Sequence, residues 1–311
     1  MLYLTEAEVA AVLTPAMAAD AIEDAFRSLA GGSAAVQERV RTITPAGKLS
    51  MVGGVMIDED RAGAKVYPTT KDGRFGFVVL LFQLSTGEPL AIMKGSALTE
   101  IRTAATSVVA ARYLAPPDSK VLLLFGSGRQ ASSHAVAFAR QFELAEIRLI
   151  NRRPADEFAD KVEQATGVPT IQVSGQRAAL ENVDLIVTAT RSTEALFDGA
   201  QLPQRCHISA VGATTPESRE LDSETIARAE TIVVESIKQA RIEAGDLLLA
   251  DEGQVWEKVR ELSALVSSPA IVRPEGVSVY KSLGIGLEDV AVADAVYREA
   301  VVRSVGRILE D

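Results

Sequence analysis

The 311-residue sequence contains one cysteine and two histidines. Cys206 standing alone excludes an internal disulfide framework and a multi-cysteine metal site, and it reads as a small core residue in a reducing cytosol. His134 falls inside a helical pattern and His207 inside an apolar strand, neither with a partner at ligand spacing, so both read as structural and no metal is expected. Positive charge is also scarce. Lys and Arg number 32 against 42 Asp and Glu, a formal charge of −10 with a pI near 5.0, which argues against nucleic acid or an anionic membrane as partner. No apolar run approaches the ~20 residues of a spanning helix, and the opening MLYLTEAEVAAVLTP places acids where a leader would place basic residues. A cytoplasmic, unprocessed chain is expected, with no internal repeat and no low-complexity tract.

What is present is organised around Lys120–Ala131, KVLLLFGSGRQA. Five apolar residues, Val121 to Phe125, suit a strand buried on both faces of a parallel sheet, and they run into a Gly126-Ser127-Gly128-Arg129-Gln130-Ala131 turn that opens a helix expected over Arg129–Phe142. Gly126 permits the turn, Gly128 lets backbone N–H groups approach a pyrophosphate, and Ala131 allows close helix–strand packing. Phosphates on that helix N-terminus need no charged side chain. Downstream, EIRLINRR, ADEFADKVEQATG, TIQV, DLIVTAT, CHISAVG, TIVVES and VSVYKSLG alternate strand and helix, the pattern of a doubly wound parallel sheet. The second strand ends in Asn151-Arg152-Arg153 where an NAD enzyme usually carries an acid for the ribose. Two guanidinium groups there favour NADP(H) over NAD(H), the alternative being that both are simply solvated.

Upstream the pattern differs. Thr5 and Thr14-Pro15 start two helices, Gly31-Gly32 ends the second, and VRTIT, LSMVGGVMI, AGAKVYP, FGFVVLLFQL and PLAIMK then read as one mostly antiparallel sheet. A helix over Leu98–Leu114 stops at Pro116-Pro117, so a first α+β domain is expected over 1–115 and a Rossmann domain over 116–286. Leu287–Leu309 reads as a long helix with Val290, Ala293, Val296, Tyr297, Ala300 and Val301 on one stripe, returning to the first domain. Basic residues stand out in that domain: Arg39 and Arg41 alternate on one strand face, Lys65 sits in apolar AGAKVYP, and Arg102 sits among small residues. Burying such charges costs several kcal/mol unless an anion meets them. The anion is either a substrate carboxylate or an acid of the chain, Glu100 or another.

In its ordered blocks GAKVYP, TGEPLA, LTEIRTAATSVVAARYLA, GSGRQA, DLIVTAT, VGATTPESRELD, EAGDL and KSLGIGLEDVAVA the chain resembles the ornithine cyclodeaminase and mu-crystallin family. The resemblance implies a homodimer whose first domain and final helix bind a small amino- or imino-acid substrate. It carries the carboxylate-binding cations onto Lys65 and Arg102, with a third on Arg39 or the nearby Arg41. Cofactor contacts carry over to Gly126, Gly128, Arg129, Gln130, Asn151, Arg152, Thr188 and Thr190, with Val211 and Ser282-Leu283-Gly284 near the nicotinamide; Arg153 joins them on charge alone. One block departs from the family. Where ornithine cyclodeaminases carry an acid in a GGDCPG-type block, this chain reads Gly212-Ala213-Thr214-Thr215-Pro216, and Thr214 is no base near neutral pH. The expectation is therefore an NADPH-dependent reductase of the C=N bond of a cyclic α-imino acid, with Lys65, Arg102 and Thr214 at the reacting centre. The alternatives are ornithine cyclodeaminase, an amino-acid dehydrogenase and a non-catalytic NADPH-binding protein.

Overall fold

The computed structural model describes residues 1–250, 254–271 and 273–310. The chain divides into two units, residues 1–106 with the segment from Gly284 onward, and residues 107–283. The boundary between the units falls within the helix Ser96–Leu114, between Thr106 and Ser107. Its first turns carry Arg102 into the first unit, and its later turns put Ser107 against His134 of the second, Oγ to Nε2 at 2.9 Å.

In the first unit the helix Glu6–Val12 opens on a capping box between Thr5 and Glu8, and Pro15–Gly31 opens on Thr14 and stops at left-handed Gly32. A seven-stranded sheet follows the order Arg307–Ile308, Leu2–Leu4, Pro89–Lys94, Val78–Gln83, Arg61–Thr70, Gly47–Met56, Ala34–Thr44. Every neighbouring pair is antiparallel except Leu2–Leu4 with Pro89–Lys94. Register decides which side chains share a face. Val52, Lys65 and Val79 are partners across three strands and point one way, whereas Met51, Val66 and Val78 point the other.

The last helix differs from its sequence pattern. It runs Gly286–Arg303 and ends at left-handed Ser304, and Val301 is 55% exposed instead of joining the buried stripe of Val290, Ala293, Val296 and Ala300. The apolar period continues through Val305 and Leu309, but the helix stops at Ser304, and past Gly306, φ +100°, Arg307–Ile308 gains strand pairing with Leu2–Leu4. Glu288, Asp289 and Asp294 of this helix are buried.

The second unit is an eight-stranded sheet, ordered Val259–Glu261, Ala229–Val234, Val277–Lys281, Cys206–Ala210, Leu185–Thr188, Val121–Phe125, Glu146–Ile150, Thr170–Gln172, with every pair parallel. The order reverses beside Val121–Phe125, whose neighbours are the next strand in the chain on one side and Leu185–Thr188 on the other. At such a switch point the flanking loops part and leave a crevice at the carboxyl ends of the strands. Leu123, Phe125, Ile186, Ile208, Ile232 and Val279 lie in one apolar core cluster of this unit. Cys206 belongs to the same cluster, and burial pushes its thiol up to about 12. Among the described residues no helix is long and apolar enough to cross a membrane.

Candidate active site

The carboxyl edge of the parallel sheet carries one group of candidate residues. Gly126 follows the strand Val121–Phe125 with φ +106°, and a Cβ there would stand 2.8 Å from the Ala189 carbonyl oxygen, so only glycine lets the two strand ends meet. Gly128 is the extended N-cap of the helix Arg129–Gln141, with open space where a Cβ would point. A cavity of about 640 Å³ adjoins this turn, lined among others by Gly126, Asn151, Arg152, Arg153, Thr190 and Arg191. Asn151 donates to the Arg153 carbonyl at 3.1 Å, while the Arg152 and Arg153 side chains are exposed. Gln130 holds a buried Oε1 without a hydrogen-bond partner.

Three carboxylates missing from the sequence reading organise the loops of that edge. Glu220, fully buried, accepts from Thr188 Oγ1 at 2.8 Å, from Thr190 N and Oγ1 at 2.7 and 2.6 Å, and from Gly212 N at 2.7 Å. The hydroxyls of Thr188 and Thr190, expected on the cofactor, are thus engaged by Glu220. Asp246 accepts from the backbone of Glu220 and Leu221 and pairs with buried Lys281 at 2.9 Å, and Lys281 also reaches the Ala213 carbonyl. Glu235 accepts from Tyr280, Ser282 and Leu283 N, so the Ser282 hydroxyl faces an acid of the protein. Val211 is buried, with its N–H on the Thr188 carbonyl at 2.9 Å. Thr214 is half-buried, and no hydrogen bond engages its hydroxyl among the described residues.

The first unit carries a separate group. Lys65 is 3% exposed and Arg102 6%, and both reach Asp289 Oδ1, from Lys65 Nζ at 2.7 Å and Arg102 Nε at 3.1 Å. Arg102 Nη1 also pairs with Glu288. Acids of the chain therefore meet both cations, Asp289 on Lys65 and Arg102 and Glu288 on Arg102. Arg39 donates through Nη2 to the Gly284 carbonyl at 2.7 Å, and a Cβ on Gly284, whose φ is +72°, would stand 2.7 Å from the Arg102 guanidinium. Gly284 thus lies with the cations of the first unit. Lys65 Nζ lies 5.8 and 5.3 Å from the Tyr67 and Phe77 ring centroids and 3.5 Å from Thr99 Oγ1. Two of its three N–H bonds therefore have oxygen partners, and among the described residues no oxygen accepts the third. Burial pulls the Lys65 ammonium down to about 8, the nearby Arg102 adds to this, and Asp289 opposes both.

Neither histidine joins either group. His134 presents Nδ1 to the Gln130 carbonyl at 2.7 Å, which makes Nδ1 the donor and leaves Nε2 to accept from Ser107. His207 bridges Ser278 and Ser209. Burial lowers His134 to about 4 and His207 to about 3, so both are neutral imidazoles. Among the described residues no group of three His, Cys, Asp or Glu side chains is arranged to hold a metal ion.

A doubly wound sheet with a glycine turn at its switch point, together with a separate buried lysine–arginine cluster, defines an NAD(P)-dependent oxidoreductase. Residues 1–304 match the model of the ornithine cyclodeaminase/mu-crystallin family. The chain is 36% identical to the ketimine reductase mu-crystallin of Rattus norvegicus over 280 residues, covering 86% of each protein. It superposes on the solved structure of a probable ornithine cyclodeaminase from Bordetella pertussis Tohama I with TM-score 0.92 and 39% identity, over 99% of this chain and 100% of that one. The Δ1-pyrroline-2-carboxylate reductase of Thermococcus litoralis, solved with NADH and L-proline, gives TM-score 0.93 and 27% identity over the same shares. The chain belongs to the ornithine cyclodeaminase/mu-crystallin family.

Proposed function

We propose that the protein reduces the C=N bond of a cyclic α-imino acid, pyrroline-2-carboxylate or piperideine-2-carboxylate, with NADPH as the preferred donor. The observation that carries this reading is the buried Lys65, an ammonium near pKa 8 with one uncommitted N–H bond, held beside Arg102. A lysine tuned close to neutral pH gives up a proton far more readily than one at its ordinary value, which suits a general acid. Arg102, with Arg39 beside it, binds the substrate carboxylate, and Lys65 donates to the ring nitrogen. The nicotinamide nucleotide supplies the hydride. Gly126, Gly128 and the start of the helix Arg129–Gln141 suit its pyrophosphate, and Val211 and the backbone around Ser282 suit its nicotinamide end. Arg152 and Arg153 on the cavity wall, with no carboxylate at that strand end, favour a 2′-phosphate.

Proton and electron bookkeeping close without a further base. The carbon gains hydride, the π pair of C=N passes to nitrogen, and nitrogen takes a proton from Lys65, which recovers one from water. Ornithine cyclisation would in addition need a group to deprotonate the α-amine, and Thr214 does not supply one. Thr214 or a water remains the polar neighbour proposed for the nitrogen. The relatives whose names describe ketimine and pyrroline-2-carboxylate reduction support the same choice. A homodimer is proposed as well, supported by an apolar row, Val40, Leu49 and Met51, that lies exposed on one face of the outer strands.

The test is initial-rate NADPH oxidation on both cyclic imines, set against ornithine with NAD and ammonia measured. Turnover of an imine, lowered about 10²–10⁴-fold in Lys65→Met, is expected. Ammonia from ornithine without imine reduction would overturn the proposal.

A further inference from the structure

Asp289 sits in the first turn of the helix Gly286–Arg303, is fully buried, and gathers two donors on a single oxygen: Lys65 Nζ and Arg102 Nε. Four elements converge on the lysine. The strand Arg61–Thr70 carries Lys65 itself and Tyr67, the helix Ser96–Leu114 brings Arg102 and Thr99, the strand Ala34–Thr44 brings Arg39, and the last helix brings Asp289 with Glu288 on Arg102. Two of these groups, Arg102 and Arg39, repel a proton on Lys65. Asp289 is the carboxylate in direct contact that favours it.

We infer that Asp289 is the positioning residue of the reaction, fixing the proton donor relative to the carboxylate clamp through one shared oxygen and keeping that donor charged. This rests on the reading of Lys65 as the acid. The geometry separates the two neighbouring acids by role. Asp289 touches both cations, and Glu288 meets Arg102 at Nη1. Losing Asp289 therefore takes away a charge and a fixed angle at Lys65. Loss of Glu288 disturbs the clamp.

The consequence is a shape in the pH profile that a merely structural role would not produce. Lys65 must be protonated to act, so kcat/KM falls on the alkaline side as Lys65 loses its proton. Removing Asp289 lowers the lysine pKa further, so that limb moves to lower pH. The substrate imine titrates identically in every variant and cancels from the comparison.

The experiment measures kcat/KM on the preferred cyclic imine at saturating NADPH between pH 5.5 and 9.5 for wild type, Asp289→Asn and Glu288→Gln, with NADPH binding by fluorescence on the same samples to report the folded protein. In Asp289→Asn the alkaline limb is expected to move down by about one pH unit, a loss of about fivefold at pH 8 that approaches about tenfold at pH 9.5 and shrinks towards pH 6. Glu288→Gln is expected to raise KM with the limb unmoved. A uniform loss at every pH in Asp289→Asn, or an equal limb shift in Glu288→Gln, overturns the inference. If Asp289→Asn does not fold, Asp289→Glu keeps the charge while lengthening the arm: it should lower kcat with the limb in place, and a limb displaced as far as a full unit counts against the role. Wild type that oxidises no NADPH with either imine rejects the reductase reading itself, whereas active wild type with a uniform loss rejects only the part given to Asp289.

Discussion

Lys65 and the two histidines illustrate opposite uses of burial. All three are pulled towards their neutral forms, but Lys65 keeps a carboxylate partner and an uncommitted proton, while His134 and His207 are satisfied by neutral oxygens. The histidines therefore bear on stability. Unfolded imidazole takes up a proton below its ordinary value of 6.5, and the folded protein refuses it until about 4 at His134 and about 3 at His207. Unfolding is thus favoured as pH falls below 6.5, by roughly 1.4 kcal/mol per pH unit for each histidine. Urea unfolding between pH 7 and pH 5 should show this decline, and His207→Asn should flatten it relative to its own stability at pH 7. An equal slope in the variant would contradict the assignment of His207 as a buried neutral group.

At the scale of elements, the strands, the glycine turn and most helix boundaries were legible because each rests on local pattern. Thr5 and Thr14 cap where expected, Val121–Phe125 is a buried strand, and the turn after it has the required positive φ. Less legible was whatever depends on partners distant in sequence. Leu2–Leu4 is too short to signal a strand and exists through pairing with Pro89–Lys94 and Arg307–Ile308. Glu288 and Asp289 read as ordinary first-turn acids that complement a helix dipole, and nothing local marks them as partners of Lys65 and Arg102. Glu220, Asp246 and Lys281 had a faint signal, charged residues inside otherwise small or apolar blocks, of the kind that drew notice at Lys65. Glu220 ties the ends of Leu185–Thr188 and Cys206–Ala210 through four hydrogen bonds. Glu220→Gln turns an amide donor towards N–H and hydroxyl donors, at a cost of about 2–5 kcal/mol. Denaturant unfolding should record that loss and titration with NADPH a weaker Kd, and an unchanged Kd would detach Glu220 from the nucleotide edge.

For the whole molecule, two units share the work: one is built to hold a nucleotide and the other gathers buried cations. Sheet register sends Lys65 to one face of its sheet and Met51 and Val66 to the other, and the latter face continues into exposed Val40 and Leu49 at the outer strands. An apolar row on an edge invites a second copy of the chain. Light scattering coupled to size exclusion should give twice the chain mass of 33.0 kDa, and Val40→Lys with Met51→Lys should shift it towards the monomer. A monomeric wild type at micromolar concentration would remove the dimer from the account.

The most direct test of the central claim follows one hydrogen. NADPH deuterated at the transferring C4 position is incubated with the protein and each cyclic imine, and the product is analysed by mass spectrometry and NMR. The account predicts proline or pipecolate carrying one deuterium at C2, with far less of the same labelled product formed by Lys65→Met at matched times. Product without deuterium, or no product from either imine, would contradict it.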